Sequence, residues 1–473
     1  MRANAFSRRW TIFTRTPEPF TLSRISLSMT PRTTILTVLR AALDGVDPGT
    51  ALLRSLSLSG NALLVSCSGQ QRSYPLADYD RILVVGCGKG GVPMGAAVEG
   101  VLGERITAGV ITVKYGHCPG PPLQTITVVE AAHPTPDEAG RQGCLMATQL
   151  LHEAGPRDLV LALISGGGSA LWPAPAPGLT LQDKQSVTGR LLESGATINE
   201  INCVRKHLSA IKGGLGARLA FPAPVVALAI SDVIGDDPAV IASGPFAPDT
   251  TRFDDARGVI TRYGLHADIP EAVAQHLLRG IRGEIPETPL PADPCFAGVQ
   301  QVLCATNAHA LQGAAACART LGYEPVIVQE PTCGEAATAA RAFVHRALAL
   351  HATRKRFCLI AGGETTVTLG REYGTGGRNQ EFALAAALEL YALQGNAPGV
   401  TVASLGTDGT DGPTDAAGGI VNGTTVTAGY ERGFDAQTAL RTHNAYPFLA
   451  AVGGLVTTGP TATNVMDIQL ALC

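Results

Sequence analysis

From about residue 30 onward, two hydrophobic rhythms alternate along the chain. Short apolar runs such as RILVVGC (81–87) and DLVLALIS (158–165) are separated by longer stretches whose apolar residues recur every three or four positions. The runs predict strands buried on both faces; the longer stretches predict amphipathic helices. The first series places a strand ending at Gly86 and a helix over Pro93–Leu102, then strands over 108–116 and 125–134. A helix from Asp137 to about Glu153, a strand over 158–165, helices over Leu181–Gly195 and Ile198–Ala220, and a strand over 224–232 complete it. Short buried strands alternating with helices predict an α/β fold, with a mainly parallel sheet covered on both faces.

Residues 245–297 break the rhythm, being proline-rich and polar around two short helical patterns. A second alternating series starts at QVLCATN (301–307) and runs through PVIVQ, FCLIAGGE and TVASLG. The expected organisation is therefore an N-terminal domain over 30–297 and a C-terminal α/β domain over 298–473. Residues 1–29 lie outside both. They carry Arg2, Arg8, Arg9, Arg15 and Arg24 against Glu18 alone, which reads either as an organellar transit peptide or as a start codon assigned upstream of Met29.

Composition narrows the class. At 45% hydrophobic and 16% charged, the 473 residues suit a well-buried enzyme rather than a disordered chain. The near balance of 36 basic and 39 acidic residues offers no footprint for nucleic acid or an anionic membrane. No apolar run approaches the roughly 20 residues of a membrane span. The 11 cysteines are odd in number and never spaced C-x-x-C, which predicts small buried thiols in a reducing cytoplasm, or in mitochondria if the arginine-rich start is a transit peptide. Monomer and homodimer both remain open.

Candidate chemistry sits where the strands end. Four strand ends open into glycine-dense loops: GCGKGG (86–91), SGGGSA (165–170), AGGETT (361–366) and GTDGTDG (406–412). Glycine permits left-handed backbone and close approach of N–H groups to an anion, so four such loops predict a phosphorylated ligand. The first also fits G-x-G-x-x-G, the dinucleotide fingerprint. That reading needs an acid after the second strand for the ribose; Lys114 stands there instead, a partner for a 2′-phosphate or a solvated strand end. Phosphoryl transfer needs a phosphate cradle, cations at the moving group, carboxylates for Mg²⁺ and a group orienting the hydroxyl. There is no P-loop and no G-x-S-x-G elbow, yet the parts exist. Gly88, Ser165, Gly166, Gly167, Gly168 and Ser169 offer one cradle, and Gly406, Thr407, Asp408 and Gly409 a second. Lys89 and Arg378 are cations within glycine loops. Asp232, Asp236 and Asp237 follow one strand, and Asp408, Asp411 and Asp415 another; any single one also reads as a turn former.

In NCVRKHLSAIKGG (202–214), Arg205, Ser209 and Lys212 share a face if the segment is helical, either solvated or turned toward an anion. His133, extended before Pro134, reads equally as site-facing or structural. Asp137 reads as a helix N-cap or first-turn acid.

The stretches VVGCGKGG, HPTPDEAG, LISGGGSALWPAP, INCVRKHLSAIKGG, ISDVIGDDPAVIASGP, GGETTVTLG, GGRNQEFAL and GTDGTDGPTDAAGG resemble, in order, the class II glycerate kinase family, whose C-terminal part is the MOFRL domain. The resemblance covers nearly everything from residue 33 onward. It implies ATP- and Mg²⁺-dependent phosphorylation of D-glycerate to 2-phosphoglycerate, in a cleft between a Rossmann-like domain and a smaller α/β domain. The family's loop lysine falls on Lys89 and its GGRNQE arginine on Arg378. Gly90 departs from the alanine common in relatives. On this basis ATP phosphates are expected along SGGGS and 406–412, with Mg²⁺ near Asp232 or Asp408 and Asp232 or Asp236 orienting the hydroxyl. Arg205 and Lys212 are expected at the glycerate carboxylate, with His133 and Asn379 nearby. The label hydroxypyruvate reductase, also borne by relatives, implies NAD(P)H; a non-catalytic sugar-acid binder is the other alternative.

Overall fold

Alternate residues of each apolar run face opposite ways, and in the computed structural model they feed different cores. The structure describes residues 30–67, 69–354, 356–393 and 399–473; the expected extension over 1–29 lies outside them. A small antiparallel sheet comes first, formed by β1 (Leu56–Ser59), β2 (Ala62–Cys67) and β3 (Gln70–Pro75). The main parallel sheet follows: β4 (Arg81–Cys87), β5 (Ala108–Lys114), β6 (Ile126–Ala131), β7 (Asp158–Ile164), β8 (Val225–Ile230) and β9 (Val299–Ala305). Its order is β6-β5-β4-β7-β8-β9, so the winding reverses between β4 and β7. The loops leaving these two strands diverge, and the crevice at their carboxyl ends is where such sheets bind ligands.

The second sheet holds β10 (Glu324–Ile327), β11 (Thr332–Glu335), β12 (Phe357–Thr366), β13 (Thr401–Gly406), β14 (Gly418–Asn422), β15 (Leu455–Val456) and β16 (Asp467–Leu472). β16 lies antiparallel between β12 and β13, with Asp467 opposite both Gly363 and Gly406. The start of β16 therefore reaches the same end of the sheet as two glycine loops. Ile82 and Val84 of β4 share one core with Ile360 of β12 and Ile468 and Leu470 of β16, through the helices Pro31–Gly45, Gly91–Leu102 and Asn307–Thr320. Leu83 and Val85 enter a second core on the other face of the main sheet.

Two expectations change. QVLCATN, read as the start of the second domain, supplies β9, which pairs in parallel with β8 and closes the main sheet. The expected boundary at residue 297 therefore does not separate the sheets. The helix expected over Ile198–Ala220 splits into Ile198–His207 and Leu215–Ala220. Gly213 and Gly214 adopt left-handed φ of 58° and 82° between them, and Ser209 bridges to Pro175 instead. Arg205, Ser209 and Lys212 consequently share no helix face.

Asp137 is the N-cap of Glu138–His152, its Oδ1 accepting the Gly140 N–H at 2.9 Å. Burial pushes its carboxyl up, but the bonds from Gly140 and the Tyr115 hydroxyl outweigh this and hold it below the ordinary carboxylate range. Asp137→Ala is expected to cost about 1 kcal/mol in urea unfolding at neutral pH. A folded pKa below the unfolded one gives stability that is present above the unfolded value and lost as pH falls through the folded value, so the difference narrows in acid. An unchanged urea midpoint at pH 7 would count against the cap.

Candidate active site

The fingerprint turn after β4 has the shape of a dinucleotide site without its free amides. Gly88 N–H bonds to Thr112 O, Lys89 N–H to Gly166 O, Gly90 N–H to Ser165 Oγ and Gly91 N–H to Gly88 O, all at 2.9–3.1 Å. Gly88 has φ 126°, and a Cβ there would stand 2.2 Å from Ser165 Oγ. Its glycine serves the approach of the neighbouring loop, not of a pyrophosphate. This argues against the nicotinamide reading.

Much of the hydrogen-bonding capacity of the expected cradles is taken up in the same way. Gly167 donates to the Asp232 carboxylate and Gly168 N–H to Ser165 O. Ser169 Oγ lies 2.7 Å from Ser243 Oγ. Thr407 is fully buried, with both its N–H and its hydroxyl donating to Met466 O, and Gly409 N–H closes onto Gly406 O. The glycine loops serve as tight joints that aim side chains.

Those side chains converge from both sheets. Lys89, from the main sheet, places Nζ 2.6 Å from Oδ2 of Asp408, which follows β13. The pair is 8% and 17% exposed. Arg378 opens the helix Arg378–Ala392 and forks onto Asp467, with Nε and Nη2 at 2.7 and 2.9 Å from its two oxygens. Its Nη1 lies 2.7 Å from Glu364 at the end of β12. Asp411 accepts the N–H groups of Asn379 and Gln380, capping that helix from a distant loop. Asn379 is spent as well: Nδ2 donates to Asp467 and Asp411, and Oδ1 accepts Ser404 Oγ at 2.6 Å. It is 1% exposed and holds Asp467 in place, behind Arg378 rather than on the cavity wall. A cavity of about 550 Å³ opens onto Lys89, Lys114, His133, Arg378 and Asp408.

Electrostatics sort these groups. Burial pushes the His133 imidazole down to about 4, with help from the Lys89 and Lys114 cations, so it is neutral at pH 7. Burial also pushes the Asp232 carboxyl up against the pull of Lys89, and Asp411 up to about 6. For Asp408, burial is overcome by Lys89 and its carboxyl falls below the ordinary value. Asp232 accepts a 3.4 Å bond from Asn464 Nδ2. Asp236 is not brought to this cavity. It sits at φ 54° lining a separate cavity of about 280 Å³ beside Asn307 and Gly362, away from Lys89. Arg205 and Lys212 lie behind the Gly166–Ser169 turn.

Sequence reasoning missed Asp467, Glu364 and Asn464. Glu364 stood in a quoted glycine loop, but nothing in NVMDIQL marks its aspartate. Among the described residues no three His, Cys, Asp or Glu side chains form a metal cage. Mg²⁺ bound with a nucleotide takes one or two carboxylates, phosphates and water. Asp232 and Asp408, both drawn down by the Lys89 cation, fit that demand.

Comparison with known proteins agrees with this architecture. A model for a domain of unknown function (DUF4147) matches residues 34–278, and the MOFRL family model matches 357–467. The chain is 40% identical over 436 residues to a glycerate 2-kinase of Pyrococcus horikoshii, covering 91% of this chain and 94% of that one. An Agrobacterium vitis relative, 43% identical over 399 residues and covering 83% and 87%, bears the name hydroxypyruvate reductase. The crystal structure of a glycerate kinase from Thermotoga maritima matches with a TM-score of 0.78 at 37% identity, covering 93% of this chain and 99% of that one. With such coverage on both sides, the chain belongs to the glycerate kinase family whose C-terminal part is the MOFRL domain.

Proposed function

We propose that this chain transfers the γ-phosphoryl group of ATP to the 2-hydroxyl of D-glycerate, giving 2-phosphoglycerate and ADP. The observation that carries this reading is the meeting of Lys89 and Arg378, one from each sheet's loops, at one cavity, anchored by Asp408 on its wall and by the buried Asp467 behind it. Two anchored cations suit charge spread over a moving phosphoryl group. Asp232, its carboxyl raised, orients the hydroxyl and accepts its proton. The hydroxyl oxygen bonds to the γ-phosphorus as the bond to the bridging oxygen breaks, and ADP leaves with that electron pair. Mg²⁺ bound with the nucleotide would supply further neutralisation, with Asp408 as the carboxylate placed to hold it. His133, neutral, offers a hydrogen bond without competing with Lys89 for the anion.

No helix among the described residues is long and apolar enough to cross a membrane. We place the enzyme in the cytoplasm, where buried thiols such as Cys87, Cys144 and Cys358 stay reduced.

A coupled assay is expected to show ADP release that requires both D-glycerate and Mg²⁺, with phosphorus NMR giving the 2-phosphate. Oxidation of NADPH by hydroxypyruvate, without ADP release, would overturn the reading in favour of a reductase.

A further inference from the structure

The cavity around the transfer centre has two kinds of wall. One carries the cations Lys89, Lys114 and Arg378. The other includes Val367, Leu369, Tyr373 and Pro413, which bring no charge. Leu369 and Tyr373 are 50% and 60% exposed, on the segment that joins β12 to the helix Arg378–Ala392. Large apolar side chains turned to a cavity rather than to a core mark a ligand surface.

Both flanks of that segment are tied down. Thr368 Oγ1 donates to Glu335 at the end of β11. Gly374 N–H donates to Thr442 O at 2.8 Å and Thr375 N–H to Asn444 Oδ1 at 2.9 Å, and Tyr446 N–H returns to Thr375 O at 3.0 Å. Between these anchors, residues 369–373 make no hydrogen bond among the described residues. The flanks hold Leu369 and Tyr373 at the cavity, while their own backbone is free to settle against a ligand.

A second observation falls on the turn that anchors this segment. His443, between Thr442 and Asn444, adopts φ 50°, a conformation that a residue with a side chain keeps only where its surroundings hold it. Its Nδ1 lies 2.9 Å from Glu381 Oε2, and the Glu381 side chain is 7% exposed. Nε2 has no partner among the described residues, and His443 lines the same cavity. Glu381 stands one turn along the helix from Arg378, on the same face, so the wall runs from the anchored cation to the histidine.

We propose that the uncharged wall is the nucleoside subsite of the phosphoryl donor. The base of a purine nucleoside triphosphate stacks on Tyr373 against Leu369, and His443, fixed by Glu381, meets a polar edge of the nucleoside. This rests on the kinase reading. Chemistry assigns the two reactants to the walls. Every carbon of glycerate bears oxygen, so glycerate has no apolar face for Tyr373 to cover. The donor's base has flat π-faces that stack on aromatic side chains, and its phosphates require the cations.

The test is steady-state kinetics on the full chain with Tyr373→Ala and Tyr373→Phe, varying ATP and D-glycerate separately. The KM for ATP is expected to rise about 5–100-fold in Tyr373→Ala, the range for one lost base–aromatic stack. Tyr373→Phe keeps the ring and should recover most of that loss, while the KM for D-glycerate stays within about twofold in both. Inorganic tripolyphosphate, which has phosphates and no nucleoside, should inhibit the wild type and Tyr373→Ala equally. Adenosine should raise the melting temperature of the wild type and not that of Tyr373→Ala. An unmoved KM for ATP, or a rise confined to D-glycerate, overturns the subsite. So does tripolyphosphate inhibition that weakens as much as ATP binding does, which would put the defect among the cations. A wild-type chain that releases no ADP with D-glycerate overturns the kinase reading instead, and the adenosine shift still reads the subsite.

Discussion

Lys89→Met is expected to lower kcat with ATP and D-glycerate by about 10²–10³-fold, the loss that follows removal of one fixed electrostatic contact to a developing charge. Methionine keeps most of the stem that packs beside Gly167, so the change isolates the ammonium. Stability should fall too, because Asp408 is only 17% exposed and would lose its ion partner. Adding Asp408→Asn should restore the urea midpoint without restoring turnover, which separates the folding role of the pair from its chemical one. The pair also sets a pH dependence. The folded pKa of Asp408 lies below its unfolded value, so its contribution is complete above the unfolded carboxylate range and disappears as pH falls through the folded value. Near-wild-type turnover in Lys89→Met would remove this loop from the active site.

Asp232→Asn should reduce kcat by about 10²–10⁴-fold, the span typical of a lost general base, with little change in either KM. The amide keeps the shape and the bond to Asn464 but cannot take the hydroxyl proton. Burial raises the wild-type carboxyl, so the acid limb of the kcat profile should lie above the ordinary Asp value of about 3.9 and be absent from the variant. A variant that keeps both its rate and its acid limb would show the base to be elsewhere.

Much of this site was legible because turns announce themselves chemically. Glycine clusters at the ends of apolar runs mark strand-to-loop joints, and Lys89 and Arg378 stood out as cations inside them. What those glycines do was not legible. Gly88 and Gly409 look the same in sequence whether a ligand or a neighbouring backbone fills the space beside them; Ser165 fills it for one and Gly459 O for the other. Asp467 was hidden for a topological reason. Only the antiparallel placement of β16 between β12 and β13 carries the last strand's first residue to Arg378, and an apolar run does not reveal its direction. The fate of β9 was hidden likewise, since a buried strand reads the same in either sheet. The helix break at residues 208–214 was signalled by Gly213-Gly214, but helical spacing of Arg205, Ser209 and Lys212 masked it.

The helix Pro31–Gly45 packs on Asn307–Thr320 and beneath the second sheet, while β9 sits in the first, so neither half of the chain contains all of its own parts. A gene divided at residue 297 would yield one fragment with the helix Pro31–Gly45 and without the second sheet it packs on, and another beginning with β9 parted from β8, the strand it pairs with. The two sheets are therefore not modules that a recombination event could exchange with other proteins at the proline-rich segment. They share one core, which a cut at that segment would split.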